Sequence, residues 1–125
     1  MTPQVEKLLS YDCKPDETPE KRLNRLLREH VPEAPDLCMI DLAERLGKWS
    51  LERLAGLKLP GRKKRPRHSG DPVIVVELEQ RHYLIDGTRR VTHWRMSGDQ
   101  GPHPVLVVHT RTMGRLATVR FEVVP

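Results

Sequence analysis

Aromatic residues are scarce: two Trp, two Tyr and one Phe in 125 residues. That excludes the stacking platforms on which single-strand binders lay successive bases. No apolar run approaches the roughly 18 residues of a membrane span, and no secretion signal is present. The expectation is a cytoplasmic protein with no membrane partner. Cysteine is nearly absent. Cys13 and Cys38 fit no zinc spacing and read as reduced thiols rather than a disulfide. Six histidines are present, but His82, His93, His103 and His109 show no ligand spacing and read as surface side chains. There is no nucleophile elbow, no Ser/His/Asp order and no Walker-type loop. Hydrophobic content is 37% and charged content 31%. That predicts a thin core under a very polar surface, in one domain spanning 1–125.

What the chain does have is concentrated positive charge. The net charge is +5, and most of it lies in one stretch, Lys58-Leu59-Pro60-Gly61-Arg62-Lys63-Lys64-Arg65-Pro66-Arg67-His68. Its six Lys/Arg are unaccompanied by any acid; without them +5 becomes −1. Two prolines and a glycine make 58–70 read as a flexible basic loop. Dense like charge needs a counterpart, so Arg62, Lys63, Lys64, Arg65 and Arg67 are candidate contacts to a DNA or RNA backbone.

Met1 to Lys14 is compatible with a short helix or an irregular strand. Thr18 as cap and Pro19 at the first helical position predict a helix with Leu23, Leu26, Leu27 and Val31 on one face. Lys21, Arg22, Arg25 and Arg28 then occupy other faces, and Pro32 ends it. Asp36 predicts the cap of a second helix that buries Met39, Leu42, Ala43 and Leu46 and closes at Gly47. Ser50 predicts a third, short helix to Ala55. Val73 to Leu78 reads as a strand buried on both faces. Glu79-Gln80-Arg81 reads as a turn, and His82 to Ile85 as an antiparallel return. His103 to Thr110 is another apolar strand. Ala117, Val119, Phe121 and Val123 alternate with polar residues as a last one. The fold class is α+β: N-terminal helices packed on a small mixed sheet, with one helix inserted after an Asp-Gly turn.

That turn organises the rest. In Tyr83-Leu84-Ile85-Asp86-Gly87-Thr88-Arg89-Arg90-Val91-Thr92-His93-Trp94, a strand ends at Asp86-Gly87 and a helix starts, with Thr88 as its expected N-cap. Arg89 and Arg90 fall in the first helical turn. Cations there oppose the helix dipole, so their presence together with free N–H groups favours an anion, most naturally phosphate.

The order "PVIVV", "YLIDGTRR", a helix, then "HPVLVV" resembles the ParB/sulfiredoxin superfamily, the ParB-like nuclease or nucleotide-binding domain, over about Pro72 to Val108. The resemblance implies a phosphate-binding turn. Gly87, Arg89 and Arg90 match a Gly-Glu-Arg-Arg box that contacts nucleotide phosphates, with Thr88 in place of Glu. Thr88 also stands where sulfiredoxins carry their cysteine, which argues against that activity. The family's second Glu-Asn-Leu-Gln-Arg-like box is absent. Asp86 and Gly87 match the turn of free-serine kinases, with Arg89 in place of a His. The implied function is binding of a nucleotide or nucleic-acid backbone through Gly87, Thr88, Arg89 and Arg90. A nucleoside triphosphate with Mg2+ is the implied cofactor. Asp86 is the candidate catalytic base and metal ligand. An active enzyme would be a nucleotide hydrolase, phosphotransferase or nuclease. DNA or RNA, a nucleotide and a second copy in a homodimer are the expected partners. The alternative is a non-catalytic protein-interaction module that kept the fold and lost the chemistry.

Overall fold

A computed structural model describes residues 4–57 and 70–111. Within them the elements are α1 (Gln4–Ser10), α2 (Pro19–His30), a 3-10 turn (Met39–Asp41), β1 (Leu42–Trp49), α3 (Leu51–Ala55), β2 (Val73–Leu78), β3 (Arg81–Asp86), α4 (Thr88–Ser97) and β4 (His103–Thr110). The fold is α+β, four helices on a small mixed sheet of order β1-β4-β2-β3. No helix among the described residues is long and apolar enough to cross a membrane. The basic stretch, apart from Gly70, and the expected last strand at 117–123 lie outside the described residues.

The apolar runs of β2 and β4 decide the layering. The two strands are parallel neighbours, Val73 opposite Val105 through Glu77 opposite His109. Alternate side chains point to opposite faces, so a continuous apolar run needs cover on both sides. Ile74, Val76, Leu106 and Val108 face α1 and α2, where Val5, Leu9, Leu23 and Leu27 are fully buried. Val73, Val75, Val105 and Val107 face α3 and α4, and pack with Leu51, Leu54 and Val91. Each α2 and α3 boundary follows its capping signal. Thr18 accepts from the Lys21 amide and Ser50 from the Arg53 amide.

One expected helix is not a helix. Residues 36–47 form the 3-10 turn and most of β1, which pairs antiparallel with β4 along its whole length, Leu42 opposite Thr110 to Trp49 opposite His103. Helix-compatible spacing in Leu-Ala-Glu-Arg-Leu is a weak preference, and the unsatisfied edge of β4 outweighs it. Strand geometry buries Leu42 but leaves Leu46 62% exposed. Asp36 pairs with Arg28 rather than capping anything. The connection from α2 is held by buried Asn24, whose side chain donates to the Leu37 carbonyl at 3.0 Å and accepts from the Leu37 amide at 2.7 Å.

The β2–β3 hairpin turns through Glu79 (φ 52°) and Gln80 (φ 66°). Two positive φ values match the twist of the flanking strands. The ladder then breaks once: Val75 faces Leu84, but Ile74 faces Asp86. Ile85 is the extra residue. This bulge brings Asp86 to the α1–α2 face beside Ile74, where regular pairing would have sent it to the other face.

Candidate phosphate site at the β3–α4 turn

A cavity of about 520 Å³ opens between the α1–α2 layer and the turn that ends β3. Leu8, Tyr11 and Asp12 come from α1 and the residues after it. Arg22, Arg25 and Leu26 come from α2, and Asp71 precedes β2. Ile85 to Arg90 form the remaining wall. The turn residues expected from sequence, Asp86, Gly87, Thr88, Arg89 and Arg90, are therefore all at one cavity. The volume suits a small molecule.

Gly87 is the N-cap residue of α4, with φ 107° and ψ 11°, and no side chain caps the helix. Thr88 is the first helical residue, not the cap. The reason is steric: a Cβ at position 87 would lie 2.3 Å from Val73 Cγ1, so the backbone must cross β2 where only glycine fits. The Gly87 carbonyl accepts from the Val91 amide at 3.0 Å. The amides of Thr88, Arg89 and Arg90 belong to the open first turn of the helix, and all three residues line the cavity.

The two arginines divide. Arg90 is buried, donates through Nη1 to the Asp71 carbonyl, and lies 3.6 Å from Asp86 Oδ2. Its burial pushes its pKa below the usual arginine value, and the neighbouring carboxylates of Asp86 and Asp71 oppose that shift. Arg89 is exposed and has no ion-pair partner among the described residues.

Arg22, expected on a face of α2 away from the leucine stripe, is also part of the site. It is buried, with Nη2 3.2 Å from Asp86 Oδ1 and Nη1 3.4 Å from the Leu9 carbonyl. The signal was its position, next to Leu23 and one turn before Leu26, at the margin of the apolar stripe. Asp86 thus sits between two guanidinium groups, one from each side of the cavity.

Arg25 is fixed by Glu17, which accepts from its Nε at 2.8 Å and its Nη2 at 3.1 Å. That hydrogen bond, with help from the Lys14 amide, holds the Glu17 carboxyl down at about 2 against an ordinary value of 4.5. A depressed carboxylate pKa stabilises the fold above the unfolded value and loses that contribution as pH falls through the folded one. The stability gap between the parent and Glu17→Gln should be constant above about pH 5 and close between 4.5 and 2. Urea unfolding of both proteins across that range checks it; a gap unchanged at pH 2 would show that the ion pair is not its source.

No group of three or more His, Cys, Asp or Glu among the described residues is placed to hold a metal ion. Not every histidine is at the surface. His103 is buried, stacks on Trp94 with ring centres 3.6 Å apart, and donates from Nε2 to the Asp99 carbonyl. Both cysteines are free thiols, and burial raises the Cys13 pKa, which disfavours the reactive thiolate. No protein-family model matches this chain, and no curated protein or solved structure matches it.

Proposed function

We propose that the domain binds a phosphate-bearing ligand, a nucleotide or a nucleic-acid backbone, at the Asp86–Arg90 turn, as a ParB/sulfiredoxin-like domain would. One observation carries this reading: the uncapped end of α4 opens into a cavity beside Arg89, an exposed guanidinium with no ion-pair partner among the described residues. Backbone donors, the helix dipole and a free cation converge on one spot. In this reading Arg89 contacts the ligand, while Arg22 and Arg90 position the turn through Asp86. The lining sets four arginines, Arg22, Arg25, Arg89 and Arg90, against three aspartates, Asp12, Asp71 and Asp86, and its volume admits a nucleotide such as a nucleoside triphosphate. Its magnesium ion does not fit on Asp86, whose two oxygens each already face a guanidinium.

The basic stretch enters the reading through its exit. The chain re-enters the described fold at Gly70 and Asp71, and Asp71 is a wall of the cavity. Arg62, Lys63, Lys64, Arg65 and Arg67 all fall within nine positions of Asp71 in the sequence, and in this reading they add contacts to a nucleic-acid backbone bound at the turn.

The test is calorimetric titration with ATP, CTP and GTP, each with magnesium, and with duplex and single-stranded oligonucleotides at several salt concentrations. Arg89→Ala should weaken the best ligand by about 1.5–3 kcal/mol, the worth of hydrogen bonds to a charged group. Its thermal stability should equal that of the parent, because the side chain holds nothing in place. Equal affinity in this variant would remove the turn from the account. Absence of binding to every ligand would favour the second reading, a non-catalytic interaction module. That reading has its own support, since Asp86, the one carboxylate of the motif, is engaged by two arginines and is not free to act as a base.

A further inference from the structure

We infer that the outer edge of β1 is a self-complementary interface, through which two copies of the chain pair antiparallel about a two-fold axis at Leu46. Among the described residues β1 is paired on one side only, by β4. It runs for eight residues, Leu42 to Trp49, and Leu46 on it is 62% exposed. A long, one-sided strand with an exposed leucine is a template for a further strand.

The identity of that strand follows from the sequence of β1 itself. A two-fold axis perpendicular to the sheet keeps each side chain on its own face, so the residues that face each other must have the same parity. Centring the axis on Leu46 places Leu46 against its own copy. Glu44 then faces Lys48 of the second copy, and Lys48 faces the second Glu44. Arg45 faces Gly47, where a Cβ would meet nothing within 4 Å, so the long side chain has room. Ala43 faces Trp49, small against large. Every pair is apolar with apolar, acid with base, or large with small. Moving the axis one residue back, to Arg45, sets arginine against arginine. Moving it on to Gly47 sets Leu46 against Lys48. One register is favoured and its immediate neighbours are not.

Charge on this strand also has a use in the dimer that it lacks in the single chain. Lys48 has no ion-pair partner among the described residues. Glu44 accepts from the amides of Gln4 and Val5 at 2.8 and 2.9 Å, which fixes its carboxylate without supplying a counter-charge from a side chain. The second copy supplies one.

Sedimentation of the full chain across a wide concentration range tests this. A monomer–dimer equilibrium is expected for the parent. Lys48→Glu puts two acids face to face twice, once on each side of the axis, and should weaken dimerisation about tenfold while leaving the circular dichroism unchanged. In a Cys13→Ser, Cys38→Ser background, Leu46→Cys should oxidise to a disulfide-linked dimer. Arg45→Cys, on the opposite face and off the axis, should not. A parent that stays monomeric at every concentration overturns the proposal, and is the result expected if residues 112–125 of the same chain occupy the edge. A dimer insensitive to Lys48→Glu overturns it too, as does one in which Leu46→Cys does not cross-link. None of these variants touches the cavity, so the outcome is independent of whether a phosphate ligand binds.

Discussion

Asp86→Ala is expected to destabilise the domain by about 3 kcal/mol, the lower end of the range for removing one partner of a buried ion pair. The reason is what would be left behind. Arg22 and Arg90 expose only 9% and 7% of their side chains, and Asp86 19%. With the carboxylate gone, two guanidinium groups lose the charge between them, and among the described residues the Leu9 and Asp71 carbonyls remain as their hydrogen-bond acceptors. Asp86→Asn keeps the shape but not the charge, and should also lose stability. Urea unfolding at low and high salt measures both. An unchanged midpoint in Asp86→Ala would mean that water or other groups match the arginines without it. The consequence for function is practical: inactivity of an Asp86 variant would say nothing about catalysis until its fold had been checked.

Gly87→Ala should cost about 2–5 kcal/mol. One part is backbone strain, since a left-handed conformation costs an L-residue roughly 1–2 kcal/mol. The other is contact. The new Cβ would lie 2.3 Å from Val73 Cγ1 and 2.7 Å from Val73 Cβ, and overpacking of a core typically costs about 1–3 kcal/mol. Val73 is fully buried on one of the two inner strands and cannot move aside freely. Gly98→Ala separates the two parts. Gly98 closes α4 with φ 74°, yet a Cβ there would meet nothing within 4 Å. It should show the strain alone. Equal losses at the two positions, measured by thermal or urea unfolding, would mean that the Val73 contact relaxes without cost.

The portion of the fold from Pro72 to Thr110 was legible because its signals are local. A β-branched run, a turn, a second short run and an Asp-Gly pair before a helical pattern each act within a few residues. Thr18-Pro19 and Ser50 were legible for the same reason, through caps that their hydroxyls do make. β1 was not legible. Its residues favour a helix weakly, and only the unpaired edge of β4, some sixty residues further on, makes them a strand. The site divided in the same way. Asp86 to Arg90 could be brought together by adjacency in the chain. The partnership of Arg22 with Asp86 could not, because it depends on a one-residue bulge at Ile85 that no turn residue announces. The roles of the two arginines were likewise invisible, since neighbouring positions on a helix point in different directions and only the packing shows which one is inside.

The placement of the aromatic rings makes the two faces of the sheet optically distinct. Trp49 and Trp94 pack with the α3–α4 core. Trp49 lies under the Arg53 guanidinium, and Trp94 is stacked on His103. Tyr83 packs with the α1–α2 core, and Tyr11 lines the cavity on that same side. Tryptophan emission therefore reports on one layer, and tyrosine absorbance reports on the other. A ligand entering at the β3–α4 turn would perturb tyrosine before tryptophan. During denaturation the two signals coincide only if both layers give way in a single cooperative event.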